Sequence, residues 1–390
     1  MNVKKILIYS WNIPKGGLAK VILKEYEFFK KKDYNVTLAT SEPLSSSYST
    51  EFKNTGINII GVNGDIEDSK EKDISNFFPG LRIFIHGGTF NKSISIARYL
   101  LREKPTIILA HQLLSAILVL PYSLIYRIPF ILVLHDNSFL FMEKENLERL
   151  GKAGKLAAFF ALWIGIYTVH CAKVVICTTD NIRKEISRFV RVQDVMWSVP
   201  YGFDKLQRQP KSGRHRLMTV SKWSEFRRPR AYLEMLAFLP DPLTITMAGR
   251  WDSKQELLDF RKEILKAGMQ NRLLLLDDLS EGELYKLYNE TRVFFRLGFN
   301  EKGTGQAILE AISHGCPVVI SKGLGASELI TDGVEGYLVD ESDLENVANK
   351  IRTVYEDDRV FERMSDGAYK LSKLHGWENF LNKIQEAITR

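Results

Sequence analysis

Short, wholly apolar runs alternate with amphipathic segments along this chain. KKILIYS near the start is a β-run; LAKVILKEYEFF then puts Leu18, Val21, Ile22, Tyr26 and Phe29 on one helical face, and YNVTLAT returns to strand. That is a βαβ unit. INIIGV, TIILAH, FILVLHD, KVVICTT and VMWSVP continue the series, with helical pieces between most of them. Runs that are apolar on both faces belong to parallel sheets covered by helical crossovers. From about Pro200, through Gly202 and Asp204, the stretch YGFDKLQRQPKSGRHR has no apolar period and predicts a linker. The alternation restarts with RLMTVSK, LTITMAG, RLLLLDD, VFFRLG, PVVISK and EGYLVD, separated by helices such as AYLEMLAFL, KQELLDFRKEIL and GELYKLYNE. The last segment, from about Val360 to Arg390, reads as helix throughout, and the serine-rich stretch from Pro43 to Thr55 as an exposed loop.

The expected fold is therefore α/β, with two Rossmann-like, doubly wound parallel-sheet domains. They span 1–200 and 201–375, and residues 376–390 form a helix packing back toward the first domain. A length of 390 residues suits two domains. Open parallel sheets hold ligands beyond the carboxyl ends of their strands. Two in tandem predict a central cleft, and the residues just after each strand become the candidates.

Composition narrows the function classes. Hydrophobic content of 45% and charged content of 26% are those of a globular chain. A net charge of +7 favours an anionic partner, a nucleotide or a phospholipid surface; no zinc-finger spacing or aromatic RNA-binding pattern supports nucleic acid. Cys171, Cys177 and Cys316 include no CxxC pair, which argues against a disulfide framework or a structural zinc and for a reducing, cytoplasmic setting. MNVKKILIYSW reads as a first strand and not as a signal peptide. LAAFFALWIGIYTVHCA, 156–172, lacks Asp, Glu, Lys and Arg but falls short of the roughly 20 apolar residues a spanning helix needs. It is expected to be a core helix, with contact to the inner surface of a membrane left open. The apolar run 105–126 begins as strand and is interrupted by Pro121.

Candidate chemistry follows the strands. After the first, Gly16 and Gly17 lead into a helix whose free N–H groups can meet phosphate or substrate; without GxGxxG, a dinucleotide is a poor match. His111 and His135 each end a strand, and His135 stands in LHDNSF beside Asp136, where it can donate to a sugar hydroxyl or a phosphate. In VSKWSEFRRP, Lys222 follows a strand and Arg227 and Arg228 precede a helix, an arrangement suited to a diphosphate and to the charge on a departing one. In FNEKGTGQAILEAISHGCPVV, Glu301 and Gly303, Thr304 and Gly305 stand ahead of a helix. Glu310 lies in its second turn, facing away from Ala307, Ile308 and Ala311. A carboxylate there can accept from vicinal hydroxyls such as those of ribose. Each of these sites also has an ordinary reading as a turn, a solvated cation or a surface acid.

Taken in order, these pieces resemble the retaining GT-B glycosyltransferases of family 4, over essentially the whole chain. The resemblance rests on GTGQAILEAISHGCPVV, on SELITDGVEGYLVD and on SVPYGFD. It implies transfer of a hexose from a UDP- or GDP-sugar to a glycan or lipid-linked acceptor, with no metal and no further cofactor. It implies Glu310 on the donor ribose, Lys222 and Arg227 on the diphosphate, Gly16 and Gly17 as the N-terminal glycine loop, and His135 near the transferred sugar. One departure stands out. Lys302 lies eight residues before Glu310, where the family has its first glutamate, and the expectation is that Glu301, one residue earlier, still reaches the sugar. A non-catalytic sugar-nucleotide-binding protein and a nucleotide-sugar epimerase remain the alternatives.

Overall fold

The computed structural model describes residues 4–13, 16–41, 59–61, 96, 100–136, 139, 152–191, 193–204, 206, 210–224, 227–277, 279–298 and 301–390. The serine-rich stretch at 43–55 lies outside them. The chain divides into two compact units, one of Met1–Pro200 with Phe380–Arg390, the other of Tyr201–Asn379.

In the first unit the strands are β1 (Lys5–Ser10), β2 (Asn35–Thr40), β3 (Ile59–Gly61), β4 (Ile107–His111), β5 (Phe130–Leu134), β6 (Val174–Cys177) and β7 (Met196–Ser198). All pair in parallel in the order β3-β2-β1-β4-β5-β6-β7, with Ile6 opposite Val36 on one side and Ile107 on the other. Phe130 to Leu134 are all buried, the condition of a central strand covered on both faces. The helices are α1 (Gly17–Lys31), α2 (Leu113–Tyr126), α3 (Lys152–Cys171) and α4 (Asp180–Ser187).

Three expectations need correction here. The buried stripe of α1 is Ala19, Val21, Ile22, Glu25 and Phe29, while Leu18 and Tyr26 are half-buried. A glutamate is accepted on that stripe because His111 faces it. Pro121 does not interrupt α2; it sits on the exposed side, where the carbonyl it leaves unbonded can turn to water. And α3 is not buried all round, since Leu156, Phe159, Phe160, Trp163 and Tyr167 are each 50–59% exposed. No helix among the described residues is long and apolar enough to cross a membrane.

The second unit has β8 (Arg216–Val220), β9 (Ile245–Ala248), β10 (Leu273–Leu276), β11 (Thr291–Arg296), β12 (Val318–Ser321) and β13 (Gly336–Val339), all parallel in the order β10-β9-β8-β11-β12-β13. Its helices are α5 (Arg230–Met235), α6 (Lys254–Lys266), α7 (Glu281–Glu290), α8 (Gln306–Ser313), α9 (Leu344–Glu356) and α10 (Asp358–Leu374). The last helix is α11 (Trp377–Thr389), separated from α10 at His375 and Gly376. Most N-termini are closed by their own sequence: Ser253, Asp343 and Asp357 accept backbone N–H groups, and Ser280 with Glu283 forms a capping box on α7.

Candidate functional site

β8 and β11 are the strands at which the chain order of the second sheet reverses, the place where such a sheet leaves a crevice beyond its carboxyl ends. Polar side chains converge there. Arg296, the last residue of β11, has a side chain only 5% exposed. Its Nη1 donates to Tyr232 Oη at 3.0 Å and Leu297 O at 2.7 Å; its Nη2 donates to Ser221 Oγ at 3.0 Å and to the Glu301 carboxylate. The Leu297 N–H in turn donates to Tyr232 Oη at 3.0 Å, which locks the acceptor side of the cluster. The other Glu301 oxygen pairs with Arg227. Burial, and then the Arg296 charge, bring the Arg227 guanidinium down to about 10, which leaves it a cation at neutral pH. Glu301 is thus clamped between two guanidinium groups.

Lys222 stands in the same loop but is 65% exposed, with Nζ 2.5 Å from Asp252 Oδ1. Arg228 is exposed, its backbone at φ +45°. Of the two cations expected together on a diphosphate, Arg227 lies beside Arg296 across Glu301, while Lys222 is paired with Asp252.

Past Glu301, the turn at Gly303, Thr304 and Gly305 opens α8. Gly305 takes φ +69°, which favours glycine, and the helix start carries no side-chain cap. The Glu301–Gly303 backbone lies against Gly325: its N–H donates to Glu301 O at 3.0 Å, and a Cβ there would stand 2.2 Å from Lys302 O. Glu310, half-buried in the second turn of α8, accepts at Oε2 from Tyr288 Oη of α7 at 3.2 Å. Tyr288 also donates to Ala307 O at 3.1 Å, and burial, then the Glu310 charge, hold its phenol well above the ordinary tyrosine value. The core face of α8 is Ile308, Leu309, Ala311 and Ile312, so Ala307 is only half-buried and Glu310 turns off that face as expected.

In the first unit, Gly16 begins α1 at φ +125° with no side-chain cap, and Gly17 is the first helical residue. β1 and β4 flank the reversal of this sheet. His111 ends β4, His135 follows β5, and Asp136 beside it is exposed. Among the described residues no cluster of three or more His, Cys, Asp or Glu side chains is arranged as a metal site. Reading the sequence alone missed Arg296, Tyr288 and Glu25. Two of these left a trace: an arginine inside the apolar run VFFRLG, and a glutamate sharing the helical stripe of Val21, Ile22 and Phe29.

Two family sequence models match the chain: "Glycosyltransferase Family 4" over residues 15–205 and "Glycosyl transferases group 1" over 225–371. Poly(glycerol-phosphate) alpha-glucosyltransferase of Bacillus subtilis is 27% identical over 141 residues, 35% of this chain and 20% of the relative. D-inositol 3-phosphate glycosyltransferase of Nocardioides is 35% identical over 86 residues, 22% of this chain and 19% of the relative. The matched stretches thus span about a fifth of these relatives' own length. Among solved structures, HepE of Anabaena in complex with UDP-glucose superposes with a TM-score of 0.79 at 17% identity over 99% of both chains. Sucrose-phosphate synthase of Thermosynechococcus elongatus superposes with 0.81 at 14% identity, over 99% of this chain and 98% of its own. With both of its halves matched by the family's models and its two parallel sheets those of the GT-B fold, the chain belongs to the family 4, group 1, glycosyltransferases.

Proposed function

We propose that this chain transfers a hexose from a UDP- or GDP-sugar to a glycan or lipid-linked acceptor, with retention at the anomeric carbon. The observation that carries the reading is the pair of guanidiniums, Arg227 and Arg296, at the reversal point of the second sheet, held apart by one carboxylate. Two fixed cations in a half-buried crevice suit a diphosphate and stabilise the charge that builds on it as the glycosidic bond breaks. Glu301 occupies their donors until a stronger anion takes its place. Lys222 adds a third, more exposed cation, and α8 begins at Gly305 without a side-chain cap, where a helix start favours an anion. Glu310, oriented by Tyr288, accepts the ribose hydroxyls. In the first unit Gly16, Gly17 and His135 meet the sugar or its acceptor, and the departing phosphate takes the acceptor's proton on the face it leaves. Cationic side chains and a helix start suffice for the diphosphate, so neither metal nor further cofactor is part of the reading. That relatives include a poly(glycerol-phosphate) glucosyltransferase, and that the similar HepE structure holds UDP-glucose, supports a UDP-sugar and a glycan-like acceptor.

The test is release of nucleoside diphosphate from a panel of UDP- and GDP-sugars, with and without a lipid extract. Release from one donor that depends on the extract supports the transferase and names its sugar. Release of a rearranged sugar nucleotide without acceptor would favour an epimerase. Binding of UDP or GDP with no turnover under either condition would favour a binding protein.

The acceptor side of the proposal includes peripheral contact with an anionic membrane surface. Leu156, Phe159, Phe160, Trp163 and Tyr167 recur at helical spacing on α3, so their exposed rings form one face, and exposed Lys155 lies beside them. Replacing Phe159 and Trp163 together by serine is expected to weaken binding to vesicles containing anionic lipid by about 30–1000-fold, since each inserted ring contributes about 1–2 kcal/mol. Turnover on a soluble acceptor should stay unchanged. Co-sedimentation with vesicles measures the first, and undiminished binding by the double variant would remove α3 from the contact.

A further inference from the structure

The first unit places three titratable side chains in a row. Glu25 on α1 and His111 at the end of β4 are fully buried, with Nε2 of His111 2.8 Å from Oε2 of Glu25. The carboxylate lies off the axis of the ring N–H, as in an ion pair, and has no hydrogen-bond partner among the described residues. On its other side His111 Nδ1 lies 2.8 Å from His135 Nε2, with the two ring planes parallel to within 4°.

Charge balance settles where the protons are. A carboxylate buried beside a neutral ring would leave an uncompensated charge in the core, which is costly. Glu25 and His111 are therefore least costly with zero net charge as a pair, a carboxylate beside an imidazolium or a carboxylic acid beside an imidazole. Whichever group holds the shared proton, Nε2 of His111 faces the carboxyl group and the ring's other proton sits on Nδ1. His111 then donates to Nε2 of His135, which accepts, and His135 carries its own proton on Nδ1.

We propose that Glu25 and His111 are positioning residues that hold His135 as a neutral imidazole protonated at Nδ1, a fixed hydrogen-bond donor to an oxygen of the bound substrate. The proposal rests on the reading above that His135 meets that substrate. Among the described residues, the ring is faced by His111 from β4, with Glu25 of α1 behind it, and exposed Asp136 stands next to it in its own loop. Burial, and then the positive charge on His111, keep the His135 imidazole well below its usual value. Protonation at Nε2 is opposed by the N–H already aimed at it. The donor thus persists unchanged as the pH falls through the range in which an ordinary histidine titrates, near 6.5.

The full chain labelled with ¹⁵N-histidine gives the answer directly, with the His135 signals assigned by their loss in His135→Gln. The expected pattern is a protonated Nδ1 and an unprotonated Nε2, without titration between about pH 5.5 and 8. His111→Phe should release the ring to the other tautomer and move its titration toward 6.5, with kcat/KM for donor turnover falling about tenfold and becoming pH-dependent there. Glu25→Gln, whose amide still faces His111 Nε2 without adding charge, should keep the Nδ1-protonated form. A wild-type His135 protonated at Nε2, or one titrating near 6.5, overturns the proposal. A shifted tautomer in His111→Phe with unaltered kcat/KM would overturn its role toward substrate. The tautomer is read on ligand-free protein, so it stands or falls separately from the transferase reading.

Discussion

Replacing Arg227 with methionine is expected to lower turnover of the sugar nucleotide by about 10²–10³-fold while leaving the fold in place. The size follows from environment. Its side chain is about two-thirds covered and paired with Glu301, with the like charge of Arg296 beside it, so a departing diphosphate meets it in a setting that screens less than open water. Lys222→Met should cost less, because a side chain 65% exposed and already paired with Asp252 is screened by water. Arg296→Met is a different experiment. That guanidinium is buried and bonded to Tyr232, Leu297, Ser221 and Glu301, so its loss should lower stability by about 3–5 kcal/mol as well as activity. Steady-state kinetics on Arg227→Met, with thermal melts of all three variants, separates these effects. The clamp adds a further expectation. With Glu301→Gln the two guanidiniums face each other without a counter-ion, so the free protein should melt lower and gain more from saturating UDP than the wild type does. Equal gains from UDP in the two proteins, or full turnover in Arg227→Met, would remove the clamp from the anion site.

The order of strands was legible because a parallel strand covered on both faces is apolar at every position, a signal that needs no partner to be read. Each of the thirteen apolar runs is a strand, trimmed at the ends as in VMWSVP, of which Met196–Ser198 pairs. What escaped reading depends on which surface meets which. The composition of α3 marks it as apolar but not which side is covered, and its phenylalanine, tryptophan and tyrosine rings are all exposed. Pro121 marks a lost hydrogen bond, yet the loss costs little on an exposed side. At the candidate site, Lys222, Arg227 and Glu310 could be singled out in the sequence because each lies just after a strand or near the start of a helix. Arg296 was not, since an arginine ending an apolar run gains meaning only when Ser221, from the end of β8, and Glu301 come to it. Tyr288 belongs to a different helix from the carboxylate it orients, and no spacing along the chain links the two.

That last contact sets the other large effect. Replacing Glu310 with alanine is expected to weaken binding of the nucleoside diphosphate by about 10–100-fold, the worth of hydrogen bonds to a charged acceptor at roughly 1.5–3 kcal/mol. The change should appear as lost affinity for UDP or GDP itself, measured by calorimetry, because the carboxylate is read as touching the ribose and not the departing bond. Glu310→Gln keeps one acceptor oxygen and the Tyr288 contact, so it should retain part of the affinity. Tyr288→Phe removes the 3.2 Å bond that orients the carboxylate, along with the hydroxyl's contact to Ala307 O, but leaves the carboxylate itself, and should lie between the wild type and Glu310→Ala. The order of the three variants is the informative result. If Tyr288→Phe were as weak as Glu310→Ala, the carboxylate would depend wholly on its orientation. If Glu310→Ala bound UDP and GDP as the wild type does, the ribose would be held elsewhere, and Glu310 would be an ordinary half-buried acid bonded to Tyr288.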